Sequence, residues 1–138
     1  DKYGDRLKAV GAAMYGAMAI ERSDGKQRAD FAASNLVSFG APVLLLCHFP
    51  KWMKEAQWSD TGMWLQTIML LAREEGLDTC PQEYMGMYGR TIKDHLGLGE
   101  DVMLFCGIAI GWQDTTDSVN AFPRERVPLA EHVTFQGF

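Results

Sequence analysis

The sequence predicts a domain that mixes helices and strands, of α+β or α/β class, and three observations carry that expectation. Apolar residues recur at helical spacing in several stretches. Two continuous apolar runs, 43–47 and 102–111, have the length of buried strands, and glycines or prolines separate these pieces. With 138 residues, 47 % of them hydrophobic and 22 % charged, the chain can form one domain with a real core. The pattern does not order the strands.

Taken in order, residues 3–20 place Leu7, Val10, Met14, Ala17 and Met18 three or four apart, which predicts an amphipathic helix. Ser23-Asp24-Gly25 then breaks the chain. A second helix is predicted over 28–38, with Phe31, Ala32, Leu36 and Phe39 on one side and Gly40 and Pro42 ending it. Val43-Leu44-Leu45-Leu46-Cys47 reads as a buried strand, and 50–58 as loop. Ser59 or Asp60 can cap the next helix, and Gly76 can close it. Almost no polar face remains in that helix over 63–72, so it must be covered on several sides, and a partner subunit is one way to do so. Residues 77–80 read as a short strand, 91–96 as a short helix closed by Gly97 or Gly99, and 102–111 as a second buried strand. Gly107 and Gly111 there suggest close approach of another backbone or a ligand. The chain then turns irregular, until Val133 and Phe135 alternate with His132, Thr134 and Gln136 as in a short strand.

Composition narrows the function. A net charge of -5 argues against nucleic acid as a main partner, because phosphate backbones call for clustered Lys and Arg. No apolar run approaches the roughly 20 residues of a membrane-spanning helix. Asp1-Lys2-Tyr3-Gly4-Asp5 is polar and lacks an initiator Met, which reads as the interior of a longer polypeptide. The 3 cysteines, Cys47, Cys80 and Cys106, fit no zinc or disulfide spacing and read as reduced cytosolic thiols buried as small hydrophobes. His48, His95 and His132 are scattered, so no metal site is expected. There is no G-x-x-x-x-G-K-[ST] loop, no G-x-G-x-x-G fingerprint and no G-x-S-x-G elbow. Seven of the 8 methionines, Met14, Met18, Met63, Met69, Met85, Met87 and Met103, read as core filler; Trp58 and Trp64 can line a pocket, and the plainer reading is that one or both pack.

Two segments can carry binding chemistry. Prolines at 123 and 128 disfavour a helix, and in an extended chain residues two apart face the same way. Arg124 and Arg126 then present two guanidinium forks together, with Glu125 turned away, a geometry that suits phosphate or carboxylate. The plainer alternative is a solvated loop whose arginines pair with acidic neighbours. The second segment is Leu77-Asp78-Thr79-Cys80-Pro81-Gln82-Glu83, where backbone N–H groups after Pro81 can meet a ligand; an ordinary strand-to-helix turn is the alternative.

In sequence order, several of these stretches resemble the nitroreductase family of FMN enzymes. They are Gly40-Ala41-Pro42-Val43; D-x-G-x-x-L-Q-x-x-x-L-x-A-x-x-x-G-L over 60–77; Thr79-Cys80-Pro81-Gln82-Glu83; Gly107-Ile108-Ala109-Ile110-Gly111; and N-x-F-x-x-E-R-x-P-L over 120–129. The closing Phe135-Gln136-Gly137-Phe138 resembles the end of the branch acting on nitroaromatics. The resemblance implies an α+β fold with helices around a central, mostly antiparallel sheet. It implies FMN-dependent transfer of electrons from NAD(P)H to a nitroaromatic or quinone by a ping-pong mechanism, in a cytoplasmic homodimer. By position, Pro81 and Gln82 run beside the flavin ring, Glu83 and Tyr84 fall where a backbone amide meets the flavin N5, and Arg124 and Arg126 match the pair that holds the FMN phosphate. No protein acid or base is assigned, since the cofactor carries the chemistry. The family's R-R-S-x-R-like and P-S-x-x-N-x-Q-P-W-like motifs do not occur in the chain, so residues 1–138 read as a single nitroreductase-like domain lacking the family's N-terminal portion. A remnant without cofactor, serving as a dimeric structural or binding domain, is the competing expectation.

Overall fold

The computed structural model describes residues 1–137. Its Cα trace divides into two compact units, one made of Asp1–Gly25 with the run beginning at Asp114, the other of Lys26–Gln113.

In the first unit, α1 (Lys2–Ala17) starts at Asp1, whose carboxylate accepts the Tyr3 and Gly4 backbone N–H groups at 2.9 and 2.8 Å. It stops short of the expected Ile20 because Ala19 takes a left-handed φ of 54°. Arg6 of α1 pairs with Glu131 at 2.6 Å. Short 3-10 turns occupy Ser118–Asn120 and Leu129–Glu131. The strand expected around Val133 and Phe135 does not form among the described residues. Val133 N–H closes a turn onto the Leu129 carbonyl at 2.9 Å, and alternation over so few residues makes no strand without a ladder partner. Phe138, the last residue of the closing motif, lies outside the described residues.

The second unit runs α2 (Gly25–Ala33), a 3-10 segment (Ser34–Gly40), β1 (Val43–Pro50), α3 (Glu55–Glu74), β2 (Asp78–Gln82), a 3-10 helix (Glu83–Tyr88), α4 (Gly89–Leu96) and β3 (Val102–Gly111). The strands pair antiparallel in the order β1-β3-β2, so β3 is central and the class is α+β. The second helix ends earlier than expected. Asn35 Nδ2 donates to the Ala32 carbonyl at 3.0 Å and the Ser34 hydroxyl to that of Phe31; such bonds three residues back tighten the turn. The chain then takes left-handed φ at Ser38, Phe39 and Gly40 (52°, 53° and 79°). α3 begins at Glu55, ahead of the Ser59 or Asp60 expected to cap it. A carboxylate in the first turn suits the helix N-terminus, and Trp58 becomes helical instead of loop.

α3 lies on one face of the sheet, where Leu65 packs with Cys47, Cys106 and Ile108. A register shift between Cys47 and His48 leaves Phe105 as the extra residue of a β-bulge, and Phe105 joins Cys106 on this face, its ring centroid 5.5 Å from that of Phe49. On the other face a Cβ at Gly107 would meet Leu44 and Met85 side chains at 3.0 Å. The close approach expected at Gly107 is therefore made by packed side chains, and at Gly111 by Pro42, whose Cδ stands 2.8 Å from where a Cβ would sit. Several sequence expectations of burial are corrected. Cys80 is exposed on outer strand β2, Met63 and Met87 are exposed while Met85 is core, and Trp58 and Trp64 are exposed on α3.

Candidate functional site

Each candidate segment is positioned by its own unit. In the second unit, Arg73 at the end of α3 pairs with Asp78 at the start of β2, and Gly76 supplies the positive φ of the turn between them. Asp78 also accepts the Gln113 N–H at 2.9 Å, which ties β2 to the chain leaving β3. β2 then runs antiparallel to β3, with Pro81 opposite Ile108 and Gln82 opposite Gly107. A proline is tolerated there because β2 is an outer strand.

Pro81 is exposed, whereas the Gln82 side chain is buried at 2 % exposure. Its Nε2 donates to the Asn35 carbonyl at 3.0 Å and to Asn35 Oδ1 at 3.3 Å, and its Oε1 is buried with no hydrogen-bond partner. Asn35 escaped the sequence reading, since nothing local marks a partner 47 residues away. Glu83 opens the 3-10 helix with its side chain exposed. The first N–H groups of such a helix have no partner inside it, and Glu83 and Tyr84 stand at that position. Tyr84 is half-buried, its ring centroid 5.7 Å from that of Tyr88, and a hydrogen bond to Tyr88 pushes its hydroxyl pKa up. Beneath this turn, burial foremost and then the neighbouring Cys47 and Glu83 push the Cys106 thiol up to about 11.

In the first unit, Arg124 and Arg126 are exposed. Arg124 Nη2 donates to the Val119 and Asn120 carbonyls at 3.4 and 3.3 Å, and its guanidinium stacks 4.8 Å from the Phe122 ring centroid. Arg126 Nη1 donates to the carbonyls of Arg124 and Glu125 at 3.4 and 3.2 Å. Neither pairs with a carboxylate among the described residues, while both stay exposed on an irregular loop, as the solvated-loop alternative expects. Both keep N–H donors for an anion.

An open hollow of ≈ 430 Å³ lies between β1 and α3, against Cys47, His48 and Phe49 on one side and Asp60, Thr61 and Trp64 on the other. None of the six candidate residues lines it. Among the described residues no group of His, Cys, Asp and Glu is arranged to hold a metal, and no helix is long and apolar enough to cross a membrane.

The family model described as Nitroreductase family matches residues 4–112. The 4-nitrobenzoate reductase of Pseudomonas putida is 37 % identical over 139 residues, covering 99 % of this chain and 60 % of that protein. Among solved structures, the FMN and NADPH-dependent nitroreductase NfnB from Sphigopyxis sp. strain HMH superposes with a TM-score of 0.96 at 46 % identity, covering 100 % of this chain and 62 % of the other. The FMN-dependent NfnB from Mycobacterium smegmatis, solved with NADPH, gives 0.93 at 28 % identity, covering 99 % and 61 %. The chain thus spans about three fifths of the length of these relatives.

Proposed function

The chain belongs to the nitroreductase family, and on that premise we propose that it acts as an FMN-dependent oxidoreductase, moving electrons from NAD(P)H to nitroaromatics or quinones by a ping-pong mechanism. The observation that carries this reading is the likeness, over all of this chain and 62 % of the other at 46 % identity, to a nitroreductase described as FMN- and NADPH-dependent.

Each of the two segments, taken by itself, offers groups that suit part of the cofactor. Arg124 and Arg126 hold only carbonyl acceptors, so their remaining donors suit the FMN phosphate. Pro81 and Gln82 are assigned to the flank of the ring, and the backbone N–H groups of Glu83 and Tyr84, at the start of the 3-10 helix, to its polar edge at N5. FMN, when bound, supplies the two-electron chemistry between nicotinamide and acceptor. The chain's own task is to hold the phosphate, present an N–H donor and fix the ring's direction. We assign the exposed apolar surface of α3 to a second copy of the chain, in a cytoplasmic homodimer.

Purified protein titrated with FMN should quench the flavin fluorescence and co-elute with it in stoichiometric amount. NADPH or NADH should then bleach the yellow colour, and a nitroaromatic should restore it. Arg124→Ala and Arg126→Ala should each weaken FMN binding about tenfold. Protein that stays colourless with added FMN would overturn the reading and leave a cofactor-free dimeric binding domain.

A further inference from the structure

We propose that the buried carboxamide of Gln82 is a positioning group: it ties the end of β2 to the 34–40 segment and so fixes the direction of the Glu83 and Tyr84 backbone N–H groups toward the flavin. The inference rests on the reading of 81–84 as the ring-side stretch.

Gln82 is the last residue of a 5-residue outer strand, and its pairing with Gly107 is the last of the β2 register. Strand ends of this kind fray first, and Pro81 before it has no N–H to add to the ladder. The side chain makes good that weakness. Its amide donates twice to Asn35, which is itself held by its bond to the Ala32 carbonyl. The segment that receives it is unusual. Ser38 and Phe39 take left-handed φ values that L-residues rarely adopt, and such a conformation persists only where neighbours hold it in place.

The orientation of the amide is dictated by chemistry. The Asn35 carbonyl can only accept, so the NH₂ group must face it, and Oε1 is left buried without a donor. An unpaired buried acceptor is unfavourable. A methionine of similar length would fill the same space without one. Packing therefore does not account for the carboxamide, whereas direction does. The two bonds to Asn35 hold Gln82 at the point where the strand turns into the 3-10 helix.

The test is Gln82→Met in the full chain. The expected results are a melting temperature close to wild type, amide exchange at Glu83 and Tyr84 faster by on the order of tenfold in flavin-free protein, and an FMN Kd raised about tenfold with a shifted flavin absorption band. Asn35→Ala should move the same readouts less. Adding Asn35→Ala to Gln82→Met should move amide exchange and FMN affinity little further, because both bonds between the two residues are already gone. Wild-type exchange at both amides with wild-type FMN affinity would overturn the proposal, as would a fall in melting temperature that accounts for all the lost affinity. If wild-type protein takes up no FMN, the functional reading fails, and the exchange measurement still decides whether Gln82 fixes these amides. Should Gln82→Met not fold, Gln82→Leu, which also removes both bonds to Asn35, decides by the same readouts.

Discussion

β3 and α3 are both apolar stretches that the sequence marks for burial, and they end in opposite surroundings. β3 lies between two strands, with Leu104, Cys106, Ile108 and Ala109 buried and Ile108 at 0 % exposure. α3 fully buries only Leu65. Met63 and Leu70, seven apart and so on one face, are 63 % and 62 % exposed, and Trp64 and Leu71 repeat that spacing beside them. Apolar composition says what must leave water. It does not say whether the same chain or another one covers it.

The contrast can be broken from the strand side first. Ile108→Ala removes the most completely buried side chain of β3 and should cost about 2–5 kcal/mol, read as a lowered urea midpoint. A pH series comes next. The Cys106 thiol is raised from 9.0 to about 11, so the unfolded chain loses this proton first. Stability should hold below pH 9 and fall as the pH rises to about 11, seen as a lowered urea midpoint. Most of that fall should vanish in Cys106→Ala; an unchanged slope there would assign it to other groups. Gly107→Ala should cost about 1–3 kcal/mol, because its methyl would press on Leu44 and Met85 at 3.0 Å. The smallest effect belongs to the helix. Leu70→Gln should change the stability of the lone chain by no more than about 0.5 kcal/mol. If a second copy covers α3, the same substitution should weaken association, seen as a melting temperature that no longer rises with protein concentration.

The sequence located β3 at its observed limits, because a ten-residue apolar run between a glycine-rich turn and a polar, irregular stretch has few other solutions. It did worse at α3, where 50–58 looked mixed and the helix starts at Glu55 without a side-chain cap to announce it. Val133 and Phe135 misled because alternation is a pattern of faces, and among the described residues no neighbouring strand supplies a ladder. The candidate site divides the same way. The Arg124–Arg126 spacing and the Pro81-Gln82-Glu83 turn are written locally and could be singled out by eye. The Gln82 bond to Asn35 depends on how β2 and the 34–40 segment meet, which no local window contains.

The sheet's two outer strands also differ in what they offer to other molecules. β2 is short and carries Pro81, so its free side is an interrupted template for further pairing. β1 runs for 8 residues with no proline before Pro50, and its outer row of N–H and C=O groups borders Val43, Leu44, Leu45 and Leu46. In colloidal terms the sheet has one blunt edge and one adhesive edge. A leucine-rich strand of this kind, left uncovered, is a seed for cross-β stacking. Where that edge is uncovered, aggregation of a concentrated sample should begin at β1 before β2.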